Sequence, residues 1–273
     1  MTSSRHIFGI IGFPLGHSLS PAMHNWGFER TGFPGTYCRW PISRKQLPAF
    51  MLAVRTLNIR GASVTIPHKE AIIPYLNGLT PRALAVGAVN TLYREGDLIL
   101  GDNTDVTGFL APLQHRNMIP ASALVLGAGG AARAVLAGLR EIGCARIVLS
   151  NRSPKAARKM AAAFNTETCL WEDREKVQAD LLVNTTPLGM QGDHVLHSPL
   201  NLVKDGAGRF SHVYDLIYNP LRTRLLKEAE QAGCETISGL DMFLHQGLAQ
   251  FRRWTEQEFP SDEAEQLLLT LLK

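Results

Sequence analysis

Residues Ser122–Gly127 (SALVLG) form an unbroken apolar run that passes directly into the glycine-rich stretch GAGGAARA at 127–134, with a helical run to Ile142 behind it. A short continuous apolar run bounded by turn residues reads as a strand buried on both faces. Gly127, Gly129 and Ala132 fit the spacing Gly-x-Gly-x-x-Gly/Ala, with Gly130 as a further small residue. The first glycine permits the tight turn out of the strand. The second lets a pyrophosphate approach backbone N–H groups at a helix N-terminus, and the third small residue lets helix and strand pack closely. Such turns also occur without a ligand, so context decides. Here the turn follows an apolar strand and opens a helix, which predicts a dinucleotide site.

The next strand, Arg146–Ser150, selects the nucleotide. It runs into Asn151-Arg152-Ser153, and no Asp or Glu occurs from Ser150 to Lys159. An acidic residue near this point would hold a ribose 2′-hydroxyl, whereas an arginine accommodates a 2′-phosphate with its planar charged fork. NADP is therefore the expected cofactor. Lys155 and Arg158 either add to the positive field or are plain helix surface. Further strands at Leu181–Asn184, before the turn Thr186-Pro187, and at Val213–Ile217 extend the strand–helix rhythm to a doubly wound parallel sheet.

The N-terminal part alternates differently. Strands are expected at His6–Phe13, Tyr37–Pro41 and Gly61–Ile66. A hairpin is expected from Ala88–Arg94 and Leu98–Asp102 around Glu95-Gly96-Asp97. Ser20 reads as an N-cap with Pro21 at the first helical position, and helices are expected over Ser43–Leu57 and about Lys69 to Leu76; a new unit begins after Asp105 with a helix near Thr107–Arg116. Beyond Gly239 the pattern is helical, with Ser261 as N-cap and Asp262 and Glu263 in the first turn. Leu267–Leu269, Leu271 and Leu272 need a surface to pack on, and the inference is that these terminal helices return to the first domain. The expected fold is thus α/β with two domains. Residues 1–104 plus 240–273 form a substrate-binding and catalytic domain, and 105–239 a Rossmann NADP-binding domain.

With 273 residues, 45% hydrophobic and 19% charged, the chain can bury sizeable cores without staples. A formal charge of +4 suits an anionic small ligand. The Lys and Arg residues never form a block, which counts against nucleic acid. Cys38, Cys144, Cys169 and Cys234 form no CxxC pair and lie near no His at ligand spacing, so free thiols and no metal are expected. His17, His24 and His68 form no metal triad. The first apolar run breaks at Gly12 and Pro14, too early for a signal peptide, and no stretch approaches a membrane span. A cytoplasmic protein with a small-molecule substrate is expected, as a monomer or homodimer.

Polar residues crowd three segments of the first domain: GHSLSP (16–21), VTIPHK (64–69) and GDNTD (101–105), with GAVNT (87–91) between the last two. Together with GHSLSPAMHN, GAGGAAR, NRS, NTTPLGM and DLIYNP in this order, they resemble the shikimate dehydrogenase family along nearly the whole chain. The resemblance implies reversible NADPH-dependent reduction of 3-dehydroshikimate to shikimate, in the biosynthesis of chorismate and aromatic amino acids, at a site between the domains. It implies Lys69 and Asp105 as the catalytic pair and Ser18, Ser20, Thr65, Asn90, Tyr218 and Gln246 as substrate contacts. Its cofactor positions fall on Gly127, Gly129, Gly130, Ala131, Asn151, Arg152 and Ser153, with Thr185 bordering the adenosine side. Two departures stand out: Ser63 where the pattern has Asn, and Val106 where it has Gly.

The chemistry of the pair is coherent. Oxidising a secondary alcohol needs a base for the hydroxyl proton while hydride leaves, and the reverse needs an acid and a positive donor. Lys69 serves either as the proton acceptor or as an electrostatic and positioning group, and the sequence leaves that open. Relatives acting on quinate or aminoshikimate, and a non-catalytic NADP-binding sensor on the same fold, are the alternatives. The distributed hydroxyls and amides suit a ligand with a carboxylate and several hydroxyls.

Overall fold

The computed structural model describes residues 5–16, 18–202 and 208–273; His17 lies outside them. The chain divides into two compact units, one running up to Thr104 and resuming over Leu244–Leu271, the other spanning Asp105–Phe243. The first unit contains strands β1 (His6–Gly12), β2 (Gly35–Pro41), β3 (Gly61–Val64), β4 (Gly78–Leu79), β5 (Thr91–Glu95) and β6 (Leu98–Asp102), and helices α1 (Ser20–Thr31), α2 (Leu47–Thr56) and α3 (Pro81–Val86). The second contains α4 (Asp105–His115), β7 (Ser122–Leu126), α5 (Gly130–Glu141), β8 (Arg146–Ser150), α6 (Pro154–Phe164), β9 (Glu167–Cys169), β10 (Leu181–Asn184), β11 (His212–Asp215), α7 (Arg224–Gln231) and β12 (Glu235–Ile237). Helix α8 (Gly239–Thr255) starts in the second unit and runs on into the first, and α9 (Ser261–Leu271) comes after it. The terminal helices thus do return to the first unit.

The sheet of the first unit has the order β2-β1-β3-β5-β6-β4. It is mixed, because the β5–β6 hairpin pairs antiparallel with β3. Its register aligns three polar positions across adjacent strands: Ser63 on β3 lies opposite Thr91 on β5, and Thr91 opposite Asp102 on β6. Helix α2 buries Leu47, Phe50, Met51 and Val54, the i, i+3, i+4, i+7 face. They pack with Ile11, Ile59, Val64, Leu92 and Ile99 in one core, each side chain contributing about 1.5–3 kcal/mol of burial.

The second unit has the order β12-β11-β10-β7-β8-β9, parallel throughout. Counted from β7 as first strand, this is the order three-two-one-four-five-six of the dinucleotide-binding fold, with its switch point between β7 and β10. Ala123–Leu126 and Leu181–Val183 are fully buried, as their continuous apolar character requires.

Several local expectations are corrected. Ser20 is not an N-cap: it lies inside α1, Leu19 occupies the cap with no side-chain bond, and Ser18 Oγ accepts from Ser20 N at 3.3 Å instead. Ser261 likewise lies inside its helix, where Ala264 N donates to Pro260 O. No α-helix forms over 69–76, only turns and a single 3-10 turn at Ile73–Tyr75, because Pro74 has no N–H to continue an α-helical ladder. The short β4, α3 and β9 carry too few residues to show a period.

Candidate functional site

In the second unit the glycine turn separates two kinds of necessity. Gly127 has φ +108, a left-handed backbone, and its N–H donates to Ser150 O at 2.8 Å. A Cβ there would stand 2.4 Å from Thr185 Oγ1, so the fold itself demands glycine. Thr185 is held against it, its hydroxyl donating to Leu126 O at 2.7 Å. Gly129 differs. Its backbone is extended (φ −99, ψ −170) at the N-cap of α5, and a Cβ there would meet nothing within 4 Å. Nothing among the described residues requires a glycine at 129. An added carbon would stand in the open space at the start of α5, where the first N–H groups have no intrahelical acceptor. Gly130 and Ala131 follow in the first turn, and Ala132 is fully buried.

At the end of β8, Arg152 is exposed and forms no ion pair with any described residue. Asn151 Nδ2 donates to Ser153 O at 3.2 Å, and Ser153 Oγ caps α6 by accepting from Ala156 N at 3.4 Å. Ser153 is therefore first a helix cap. Lys155 and Arg158 are exposed on α6. Backbone donors with open space in front, and a guanidinium at the end of the adjacent strand β8, fit a diphosphate and a 2′-phosphate respectively. The donor set therefore fits NADP.

The polar residues of the first unit gather at one end of its sheet. Ser18 Oγ donates to Ser20 Oγ at 3.3 Å, and the loop is held by Arg39, whose guanidinium donates to Ser18 O at 2.8 Å. Asn90, only 2% exposed, is held on every side. Val64 N donates to its carbonyl, and its own N–H donates to Asp102 O. Its Oδ1 accepts from Thr104 N at 2.7 Å, and its Nδ2 donates to Thr104 Oγ1 at 2.9 Å and to Gln246 Oε1 at 3.5 Å. Val89 N donates to Lys69 O at 2.8 Å, and Thr65 N to Ile11 O at 2.9 Å. Lys69, Thr65 and Asn90 are thereby tied to neighbouring backbone, and Lys69 and Thr65 are half-buried.

Behind this cluster lies a band of buried polar groups that sequence reasoning did not assign to the site. Tyr37 OH donates to Ser63 Oγ at 2.6 Å, and Ser63 Oγ donates to Gln250 Oε1 at 2.7 Å. Burial pushes the Tyr37 hydroxyl well above its ordinary pKa, with Ser63 and Ser20 acting weakly the other way. His24, fully buried, stacks on Tyr37 with ring centroids 4.6 Å apart and lies 5.1 Å from the Trp254 ring. Burial lowers its pKa to about 3, against a smaller raising effect from Gln250, so the ring is neutral. His68 is also buried and its Nε2 lies 2.7 Å from Ile42 O. Gln250 had one visible signal: it stands four residues after Gln246, on the same face of α8.

Asp105, 6% exposed, is the first residue of α4, where the helix dipole stabilises a negative side chain. It comes directly after Thr104, so it is covalently adjacent to the Asn90 cluster. Val106, the other departure, is fully buried in the same turn. Tyr218 is half-buried and its ring lies 4.8 Å from that of Phe243; burial raises its pKa. Asp215, at the end of β11, accepts from Thr223 Oγ1 at 2.7 Å, Asn184 Nδ2 at 2.9 Å and Ile217 N at 3.1 Å. Burial nevertheless raises it to about 6. Among the described residues there is no cluster of His, Cys, Asp and Glu able to hold a metal, all four cysteines are free, and no helix is long and apolar enough to cross a membrane.

Comparison with known proteins agrees with these features. Residues 10–92 match the shikimate dehydrogenase substrate binding domain, and residues 239–269 the shikimate 5′-dehydrogenase C-terminal domain. The chain is 48% identical over 268 residues to the shikimate dehydrogenase (NADP(+)) of Oleidesulfovibrio alaskensis, covering 98% of this chain and 96% of that one. It superimposes with a TM-score of 0.86 on the Thermus thermophilus shikimate 5-dehydrogenase in complex with NADP(H) and shikimate, at 38% identity, covering 98% and 100% of the two chains. It superimposes with a TM-score of 0.89 on the Corynebacterium glutamicum quinate dehydrogenase in complex with NAD, at 29% identity, covering 98% and 99%. A Gly127–Gly129 turn at the switch point of a parallel sheet, joined to a mixed sheet bearing a fixed hydroxyl and amide cluster, is thus matched from end to end, and the chain belongs to the shikimate dehydrogenase family.

Proposed function

We propose that this chain catalyses the reversible oxidation of shikimate to 3-dehydroshikimate with NADP, the reductive direction serving biosynthesis. What carries the reading is the likeness, over 98% of the chain, to an enzyme solved with both NADP(H) and shikimate. When bound, NADP supplies the nicotinamide ring that takes or returns the hydride. The protein's own part is to hold the alcohol and manage its proton. Lys69 is assigned to the reacting oxygen, taking its proton in oxidation and returning it in reduction, and Asp105 to orienting that chemistry. Ser18, Ser20, Thr65, Asn90 and Gln246 offer short donors and acceptors to a ligand rich in hydroxyls, and Tyr218 is assigned to its carboxylate. Gly127, Gly129, Gly130 and Ala131 are assigned to the diphosphate, Asn151, Arg152 and Ser153 to the adenosine phosphate end, and Thr185 to the adenosine border. The unit with the mixed sheet is the substrate-binding and catalytic domain in this reading, and the parallel unit the NADP domain. The same reading makes the protein a cytoplasmic enzyme with no nucleic-acid or membrane partner.

A second reading, NAD-linked oxidation of quinate, is favoured by the quinate dehydrogenase likeness. Arg152, in place of an acidic residue, counts against it. The test is to follow reduced-nicotinamide absorbance with each pairing of shikimate or quinate with NADP or NAD. Rapid reduction with shikimate and NADP alone is expected. Preference for NAD or quinate would overturn the cofactor or substrate assignment, and no turnover by folded, NADP-binding protein would overturn the reaction.

A further inference from the structure

The Asn90 side chain is an amide whose two ends differ only in being acceptor or donor, so something must decide which end faces which neighbour. Thr104 N, a backbone donor, marks the oxygen end at 2.7 Å, and a second chain of hydrogen bonds, through the buried band, holds the same end. Gln250 Oε1 accepts from Ser63 Oγ at 2.7 Å, and Ser63 Oγ is already the acceptor of Tyr37 OH, so it has its single proton left to give to Gln250. This fixes the polarity of the Gln250 amide and turns its Nε2 toward β5. There it donates to Thr91 Oγ1 at 2.9 Å and to Asn90 O at 3.0 Å. Having accepted from Gln250, the Thr91 hydroxyl donates to Asn90 Oδ1 at 2.7 Å. The oxygen of Asn90 therefore faces Thr91 and Thr104 N, and its nitrogen faces Thr104 Oγ1 and Gln246. Gln250, at 1% exposure, and Thr91, at 0%, are out of reach of water, so no solvent molecule substitutes for a missing partner.

We propose that Gln250 is a positioning residue of the substrate site: through Thr91 it holds the Asn90 amide in the donor–acceptor polarity that Thr104 N marks, and with it the hydroxyl pattern the site accepts. The inference rests on the shikimate reading. Buried at 1% exposure, Gln250 has no surface to offer a ligand and acts through Asn90, so its loss affects substrate recognition and not the nucleotide. Gln250→Met, close in volume and lacking the amide, is expected to raise the KM for shikimate about tenfold, the scale of one or two buried hydrogen bonds. It is expected to leave the KM for NADP unchanged and kcat within about threefold, since uniform binding is what is lost. Thr91→Val breaks the same chain one link later and should match Gln250→Met, whereas Thr91→Ser keeps the hydroxyl and should behave as the wild type. The double variant Gln250→Met/Thr91→Val should show the same tenfold effect, about one factor of ten and not two. If Gln250→Met does not fold, Thr91→Val, which leaves Gln250 in place, carries the same expectation. An unchanged shikimate KM, an equal rise in the KM for NADP, or multiplying effects in the double variant would overturn the proposal. Failure of the parent reading would show itself earlier, as a wild-type protein with no turnover of shikimate.

Discussion

The sheet of the first unit carries Ser63, Thr91 and Asp102 at facing positions on three adjacent strands, all buried, whereas in the second unit Ala123–Leu126 of β7 and Leu181–Val183 of β10 are apolar and fully buried. One unit sinks a network of side-chain hydroxyls and amides into its core. The other keeps its central strands apolar, gathers its buried polar side chains Asn184, Asp215 and Thr223 at and beyond the strand ends, and presents backbone N–H groups at a helix start. The difference matches the chemistry each is assigned to meet. A ring with several hydroxyls is distinguished only by donors and acceptors placed one by one, while a diphosphate is satisfied by any clear helix N-terminus. The two units also bury titratable groups of opposite kind, His24 in the first and Asp215 in the second.

The contrast can be tested where the effects are largest. Lys69→Ala should lower turnover by roughly 10²–10⁴ while NADP binding measured by fluorescence titration is retained; loss of NADP binding in parallel would break the division of labour. The buried titratable groups come next. His24 has an ordinary value of 6.5 and about 3 in the fold, so its contribution is full above 6.5 and is lost as pH falls toward 3. Asp215 goes from 3.8 to about 6, so its contribution is full below 3.8 and is lost as pH rises toward 6. Each is worth on the order of a few kcal/mol. Thermal melts from about pH 3 to 7 should show Asp215→Asn removing a loss of stability on going from about pH 4 to 6. His24→Phe should remove a loss in the acid direction. Slopes of the same sign for both would refute the contrast.

The glycine pair separates fold from ligand within the second unit. Gly127→Ala is expected to destabilise by roughly 2–4 kcal/mol, from strain and the clash with Thr185. Gly129→Ala should leave the melting temperature unchanged and weaken NADP binding, which calorimetry would separate. The smallest effect expected is that of Arg152→Ala, a loss of about 10- to 100-fold in NADP affinity, the worth of charge-assisted bonds, with NAD affinity unchanged. Equal losses for NADP and NAD would show that Arg152 does not face a 2′-phosphate.

Much of the nucleotide unit was legible from the chain because its determinants are local. β8 and β10 occupy the residues read from their apolar runs, and the turn lies where Gly127, Gly129 and Ala132 require it. The first unit was legible in outline, its hairpin and its α2 face above all. The polar runs at 16–21, 64–69, 87–91 and 101–105 pointed to its site, but the wiring of that site was not legible, because each member has a commonplace local reading. Ser20 reads as a cap until the structure shows Ser18 serving Ser20 N and Ser20 lying beside the Tyr37 hydroxyl. Ser63 reads as a minor departure until its hydroxyl is found bridging Tyr37 and Gln250, 26 and 187 residues away. The helix expected at 69–76 failed for a local reason, Pro74, that the apolar pattern outweighed.

By itself the sequence determined a strand–turn–helix suited to a diphosphate, the absence of an acidic residue where a 2′-hydroxyl would need one, and the alternation that makes the second sheet parallel. These depend on backbone conformation and on periods of about two and 3.6 residues, which neighbouring residues set among themselves. Only the tertiary structure decided which hydroxyls and amides share protons in the first unit, which end of Asn90 is the acceptor, and that His24 is neutral. A buried hydrogen bond has its worth from both partners and from the loss of water around them, and those partners meet only when strands and helices far apart in the chain have packed.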